Sequence, residues 1–372
     1  MIRLLCIGLL FFLLILAQKL IYEKLWRRGL RIEILFSPEH LFEGSQGELK
    51  EIIENRKRLP LAMLTVKFRT DRNLHFQDGQ GARITDQFYR SDVFRVGSRE
   101  KVTRTLRFTC GRRGYYTVDA ASLVASDLLM TGRMIAEVPL KTEIYVYPRP
   151  WISEELRRTL MSLNGEVLTR QRLLEDPFEY RGIRDYQPSD DMRSINWKAT
   201  ARTGDLKVNQ KNYTSLKSVR IFFNIQDNNI MKKEDCVELS FRIVAGLCSW
   251  FLGQGMQVSC FGNGVDILTG KHVSIPARAG EGQLDAICRA LARVDTAREP
   301  VSFPGAFEEL LFSGDGSVLT CFVAPNQYED FVLLLKRYQA AGRDFVWFYP
   351  VQGCCPDLPL GLEKQIRTVH SL

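Results

Sequence analysis

An unbroken apolar run covers residues 4–17. As a helix that run is about 21 Å long, short of the roughly 30 Å hydrocarbon core of a bilayer. Extended over residues 2–22 it reaches spanning length if Lys19 snorkels to the interface. Lys19, Lys24, Arg27, Arg28 and Arg31 follow the run, and Arg3 alone precedes it. This asymmetry predicts a retained single-pass anchor in the cell membrane, with the large C-terminal portion in the cytoplasm. A cleaved signal peptide is the competing reading, but no A-x-A-like site follows the run, and Cys6 stands too early to be a lipoprotein cysteine.

Beyond the anchor the period changes to two. Residues 31–36 and 48–53 alternate, and residues 62–68 are rich in β-formers. Residues 91–96, 101–110, 115–118 and 143–147 complete a set of short strands separated by Pro38, Gly44, Gly47 and Pro60. Such spacing predicts a β-sandwich. The run from Gly111 through Arg112 and Arg113 to Gly114 fits a tight turn, with a basic recognition loop as the functional alternative. Pro148 and Pro150 close this region, and residues 153–163 read as a helix. After a densely charged stretch, apolar strands at 219–224, 258–261, 318–323 and 345–349 alternate with helical patterns at 235–253, 284–294 and 329–341. That alternation predicts a parallel sheet covered by helices on both faces. The expected organisation is therefore an α+β multidomain chain: an anchor over 2–22, a β-sandwich over 30–148, a linking helix and charged segment over 149–216, and an α/β domain over 217–372.

Composition changes this picture little. Apolar residues make up 45% and charged residues 25% of the 372, which describes a globular chain. The formal charge of +8 is spread out and forms no basic stripe with interleaved aromatics. It suits an anionic membrane surface better than a nucleic acid. Nine cysteines are scattered without a C-x-x-C pair, and Cys354 and Cys355 are adjacent, which argues for reduced thiols.

The charged stretch, residues 176–207, is the most distinctive part of the chain. Asp176, Glu179, Asp185, Asp190, Asp191 and Asp205 stand against Arg181, Arg184, Arg193, Lys198, Arg202 and Lys207, with Phe178, Tyr180, Tyr186 and Trp197 among them. The expected solution is a folded clasp in which guanidinium forks pair with carboxylates and stack on rings. Arg193 and Arg202 are expected to pair within the segment, and Trp197 to be largely buried. A partner-binding surface and a catalytic cluster are the other readings.

Arg184, Asp185, Tyr186, Gln187 and Pro188, then Asp190, Arg193, Ile195, Trp197, Lys198, Ala199, Ala201 and Arg202 resemble the signature of the domain-of-unknown-function fifty-eight family. Ser189 stands where that pattern commonly has glycine, and Asn196 where it commonly has aspartate. The resemblance implies that the α/β region is a von Willebrand factor A-like (Rossmann-like) domain. In that fold a D-x-S-x-S motif at the end of the first strand commonly holds a divalent cation. Here Asn224, Gln226 and Asn228 fall at those positions, so a metal-free turn is expected.

Catalytic motifs are sparse. His40, His75, His272 and His370 are far apart, and no G-x-S-x-G elbow or phosphate-binding glycine loop occurs. Asp190 and Asp191 could act as an acid–base pair, but neighbouring residues usually point apart and basic partners are close by. The expectation is a non-enzymatic, cofactor-free adaptor or assembly factor at the membrane. The resemblance implies a MoxR-type AAA+ ATPase as partner in assembling membrane or envelope complexes. Gln226, Asp227 and Asn228 are the expected docking residues. A hydrolase using the Asp/Arg cluster and a passive membrane scaffold are the alternatives.

Overall fold

The computed structural model describes residues 2–77, 83–84, 88–172, 180–188, 190–211, 218–227, 233–313, 318–352 and 358–370. Its first element is helix α1 (Ile2–Leu25), whose Leu5–Leu25 stretch is long and apolar enough to cross a membrane. Leucine and phenylalanine side chains from Leu5 to Ile21 are exposed along it. The last turn behaves differently. Tyr22 and Trp26 are buried in the core of the domain that follows.

That domain lies in a unit spanning Met1–Arg149, with Leu291–Arg293 added from later in the chain. Its strands are β1 (Leu30–Ser37), β2 (His40–Phe42), β3 (Gln46–Asn55), β4 (Leu61–Thr70), β5 (Leu74–Phe76), β6 (Arg83–Ile84), β7 (Phe88–Val96), β8 (Lys101–Cys110), β9 (Gly114–Ser126) and β10 (Arg133–Tyr147). They form a four-stranded sheet, β1-β3-β8-β5, and a six-stranded sheet, β2-β10-β9-β4-β7-β6. Strand β3 alternates buried and half-buried positions along its length, as period-two burial against one facing sheet requires. Side chains of both sheets share one apolar core, which makes the domain a β-sandwich. The turn between β8 and β9 is closed by the Tyr116 hydroxyl, which donates to the carbonyls of Arg112 and Arg113.

One group of charges is buried inside this sandwich. Arg90 Nε donates to Asp92 Oδ2 at 2.6 Å, and Arg104 Nη1 lies 3.1 Å from Asp92 Oδ1. The Arg90 guanidinium also lies over the Phe76 ring, 5.1 Å from its centroid. Glu51 is 1% exposed, and neither of its carboxyl oxygens has a hydrogen-bond partner. Burial, reinforced by the Asp92 charge, pushes its carboxyl up to about 8 despite Arg90 and Arg104 nearby.

The second unit, Pro150–Ala290 with Val294–Leu372, begins with α2 (Glu154–Arg172). A hairpin of β11 (Tyr180–Asp185) and β12 (Lys207–Lys211) follows, with α3 (Trp197–Thr203) in its connection. The remainder is β13 (Ser218–Phe223), α4 (Glu234–Gly253), β14 (Gln257–Asp266), β15 (His272–Arg278), α5 (Glu281–Ala292), β16 (Val294–Asp295), α6 (Phe303–Phe312), β17 (Leu319–Val323), α7 (Glu329–Ala340), β18 (Phe345–Val351) and β19 (Ile366–His370). The sheet order is β15-β14-β13-β17-β18-β19, parallel except for the antiparallel β15, with β16 paired to β14.

Helices cover both faces of this sheet. Phe222 meets Phe303 and Phe307 of α6, whereas its neighbour Phe223 meets Phe241 of α4 on the opposite face. Helix α4 is also apolar enough to span a membrane, but most of it is buried here, so it is a core helix. Burial pushes the Cys288 and Cys321 thiols up to about 12, leaving them poor nucleophiles. Cys354 and Cys355 lie outside the described residues.

Candidate functional site

The charged segment is built on the β11–β12 hairpin. Arg184 presents a fork to Asp190, Nη1 to Oδ2 at 2.7 Å and Nη2 to Oδ1 at 2.6 Å. The Gln187 amide donates to the same carboxylate at 2.9 Å. The Arg184 fork, with that amide, holds the Asp190 carboxyl below the usual carboxylate range. Across the hairpin Lys207 pairs with Asp185, and this bond raises the lysine. Asp191 accepts from the Arg193 amide and so caps the single turn at Met192–Ser194. Asn196 caps α3: its Oδ1 accepts from Ala199 N at 2.9 Å, and its Nδ2 donates to Asn209 Oδ1 at 2.6 Å. An amide serves here where a carboxylate would also cap, because the second contact needs a donor. Gly204, at φ +81°, ends α3 in the left-handed conformation that a glycine adopts without steric cost.

This geometry corrects part of the clasp expectation. Guanidinium–carboxylate pairing is present, but it belongs to Arg184 and Asp190. Among the described residues neither Arg193 nor Arg202 forms a salt bridge. Asp176, Phe178 and Glu179 lie outside the described residues, as does Ser189. Trp197 is 64% exposed, not buried. The reason is geometric. Helix α3 is a seven-residue turn that buries none of its residues. Its inner side carries Ala199 and Thr200, whose hydroxyl accepts from the Lys207 amide at 3.0 Å. The opposite side then presents Trp197, Lys198, Ala201 and Arg202 together, at helical spacing. Ile183, Met192 and Leu206 are exposed apolar side chains on the same hairpin and its connection. Tyr186 is half-buried, and its amide donates to the Leu206 carbonyl.

The turn after β13 is a closed amide cluster. Asn224 Oδ1 accepts from Gln226 N at 3.0 Å and from Asn263 Nδ2 at 2.7 Å. Asn263, fully buried on β14, accepts from Ile225 N at 2.9 Å and donates to Val301 O at 3.0 Å. Asn326 Nδ2 donates to the Gln226 carbonyl at 2.6 Å. Asp227 closes the loop by accepting from Lys233 N at 2.7 Å and from the Tyr328 hydroxyl at 3.4 Å. Both lone pairs of the Asn224 carbonyl are therefore engaged, and the Asp227 carboxylate is turned to its own loop. These residues do not fit a divalent cation, which needs free and preferably charged oxygens. Asn228 lies outside the described residues.

Asn263 escaped the reading of the sequence. Its signal was the triplet of Gly262, Asn263 and Gly264 inside an apolar strand. A Cβ on Gly262 would lie 2.0 Å from the Phe223 ring, so glycine there admits the aromatic and an amide follows it into the core.

The molecule is thus a membrane-spanning-length helix, a β-sandwich and an α/β domain carrying an exposed aromatic–basic face and no recognisable catalytic cluster among the described residues. Residues 182–314 match a family described as a protein of unknown function, DUF58. No curated protein matches the chain. Similar solved structures include the CARDB domain of a protein from Pyrococcus furiosus, at 13% identity over 32% of this chain and 90% of that one, with a TM-score of 0.22. A non-cellulosomal cohesin from Archaeoglobus fulgidus is 12% identical over 35% of this chain and 96% of its own, with a TM-score of 0.23. A cohesin module from a Clostridium perfringens family 33 glycoside hydrolase is 8% identical, covering 31% and 95%, with a TM-score of 0.21.

Proposed function

We propose that the protein is a non-enzymatic adaptor, anchored in the cell membrane by α1 with its folded domains in the cytoplasm, that works by contact with a MoxR-type AAA+ ATPase. The observation that carries the reading is the outer face of α3. Trp197, Lys198 and Arg202 stand free of the hairpin that holds them, while the hairpin satisfies its own charges through Arg184, Asp190, Asp185 and Lys207. A rigid mount with an unengaged aromatic and two cations suits docking on an acidic surface with an apolar socket. Asp190 and Asp191, the only adjacent acids of the segment, are occupied as ion-pair partner and helix cap, which favours contact over hydrolysis.

The α/β domain is read as von Willebrand factor A-like. Its first strand is central, its third is antiparallel at the edge, and helices flank both faces. Because Asp227 closes its own loop, the α3 face is a better docking element than the Gln226–Asp227–Asn228 turn. The test is recovery of the ATPase with the detergent-solubilised full chain in ATP, ADP or no nucleotide. Wild type should recover it in a nucleotide-dependent manner, and a Lys198→Glu, Arg202→Glu variant should not. Equal recovery from wild type, variant and an untagged control would remove the adaptor reading.

A further inference from the structure

Where α1 leaves the apolar zone it meets the loop between β3 and β4, and the two line an open, shallow pocket of about 460 Å³. Leu25, Arg28, Lys57, Arg58, Leu59 and Pro60 line it, three of them cationic and none acidic. The pocket walls are held in place. Tyr22 donates to Pro60 O at 3.0 Å, Asn55 donates to Leu59 O at 3.0 Å, and Arg56 N donates to Gly29 O at 2.8 Å. The nearest acid on β3, Glu54, is already taken by the Arg56 fork at 2.9 and 3.0 Å. Lys57 is the telling residue. Its Nζ is withdrawn from solvent with no hydrogen-bond partner, and burial pulls the ammonium down to about 8. An unanswered cation of this kind is costly unless an anion completes it.

We propose that this pocket binds the phosphate headgroup of an anionic phospholipid. Lys57 is the buried cation, Arg28 and Arg58 flank the mouth, and the acyl chains follow the exposed leucines of α1. Position decides the source of the phosphate. The pocket opens at the end of a helix whose apolar side chains run exposed from Leu5 to Ile21, so a lipid can place its headgroup and its tails together. A free anion could use only the cationic half, leaving Leu25, Leu59 and Pro60 without a counterpart. The inference rests on α1 being a membrane anchor, and on nothing concerning the ATPase.

The test uses the full chain in nanodiscs of equal phosphatidylglycerol and phosphatidylcholine, followed by detergent release and mass-spectrometric counting of retained lipids. Wild type should retain phosphatidylglycerol preferentially. Lys57→Met and Arg58→Gln should each lower the ratio about fivefold, which corresponds to ~1 kcal/mol per cation at an anionic surface. Lys67→Gln, an equal charge change on exposed sandwich surface, should leave the ratio unchanged. Arg58 is exposed, so its substitution reads binding without threatening the fold. Equal ratios in wild type, Lys57→Met and Arg58→Gln would overturn the proposal. So would a wild-type preference erased by excess inorganic phosphate but not by chloride of matched ionic strength. Alkaline extraction of the same membranes reads the anchor alone: release of the chain would overturn both anchor and site, whereas retention without lipid preference would overturn only the site.

Discussion

Glu51→Gln tests the buried charge group of the sandwich through the pH dependence of stability. In the folded chain the carboxyl is pushed up to about 8, from an ordinary value of 4.5. The folded state therefore holds the proton more tightly than the unfolded state between those two values. The sign follows from linkage. Stability contributed by this proton is fully present below about pH 4.5 and is lost as pH rises through about 8. At ~1.4 kcal/mol per pKa unit, the ceiling on that loss is ~5 kcal/mol. Relaxation of the site around the ionised carboxylate lowers that ceiling, and a loss of ~2–4 kcal/mol is expected. Glutamine keeps the shape and neutrality of the protonated acid at every pH. Chemical denaturation of the full chain in detergent, followed from pH 4 to pH 9, should show similar stabilities for variant and wild type at the acid end. The variant should be more stable at the alkaline end. Parallel curves for the two proteins across the whole range would refute the reasoning, because they would mean that Glu51 binds its proton no more tightly in the folded chain than in the unfolded one.

Trp197→Ala should change stability by no more than ~0.5 kcal/mol, as for other surface substitutions, while abolishing capture of the ATPase. A loss of ~3–5 kcal/mol in the denaturation midpoint would show instead that the indole is packed. Asn263→Leu should destabilise the α/β domain, at ~1–3 kcal/mol for each of Ile225 N and Val301 O that it leaves unpaired, while Asn224 Oδ1 keeps the Gln226 amide. A denaturation curve superimposable on wild type would refute the locking role of this amide.

The elements most legible in the sequence were those whose burial is one-sided or complete. Strand β8 was read with its observed limits, and the helical and apolar runs of α4, β17, α7 and β18 were found within a few residues, because continuous burial leaves a continuous apolar run. Strand β15 was missed, since Pro276 reads as a breaker; at the antiparallel edge its absent N–H costs nothing. Helix α6 was missed for a related reason. Pro304 and Gly305 look like a loop, yet proline in the first turn needs no donor. In the charged segment, composition announced ion pairing but could not assign it. The β11–β12 register sets Asp185 opposite Lys207, while Arg184 finds its acid locally, six residues on at Asp190. The exposure of Trp197 was equally hidden, because a short capped helix can turn either face outward at no cost to its own hydrogen bonds.

The last turn of α1 has a mechanical consequence. Tyr22 and Trp26 are at once the end of the apolar helix and part of the interior of the β-sandwich. The apolar helix is therefore not an appendage attached to a finished domain. A chain lacking residues 1–26 would leave that interior open where the two rings now sit. The same continuity carries force in the other direction. Traction exerted on the sandwich reaches the apolar helix through these packed rings, with no slack to absorb it.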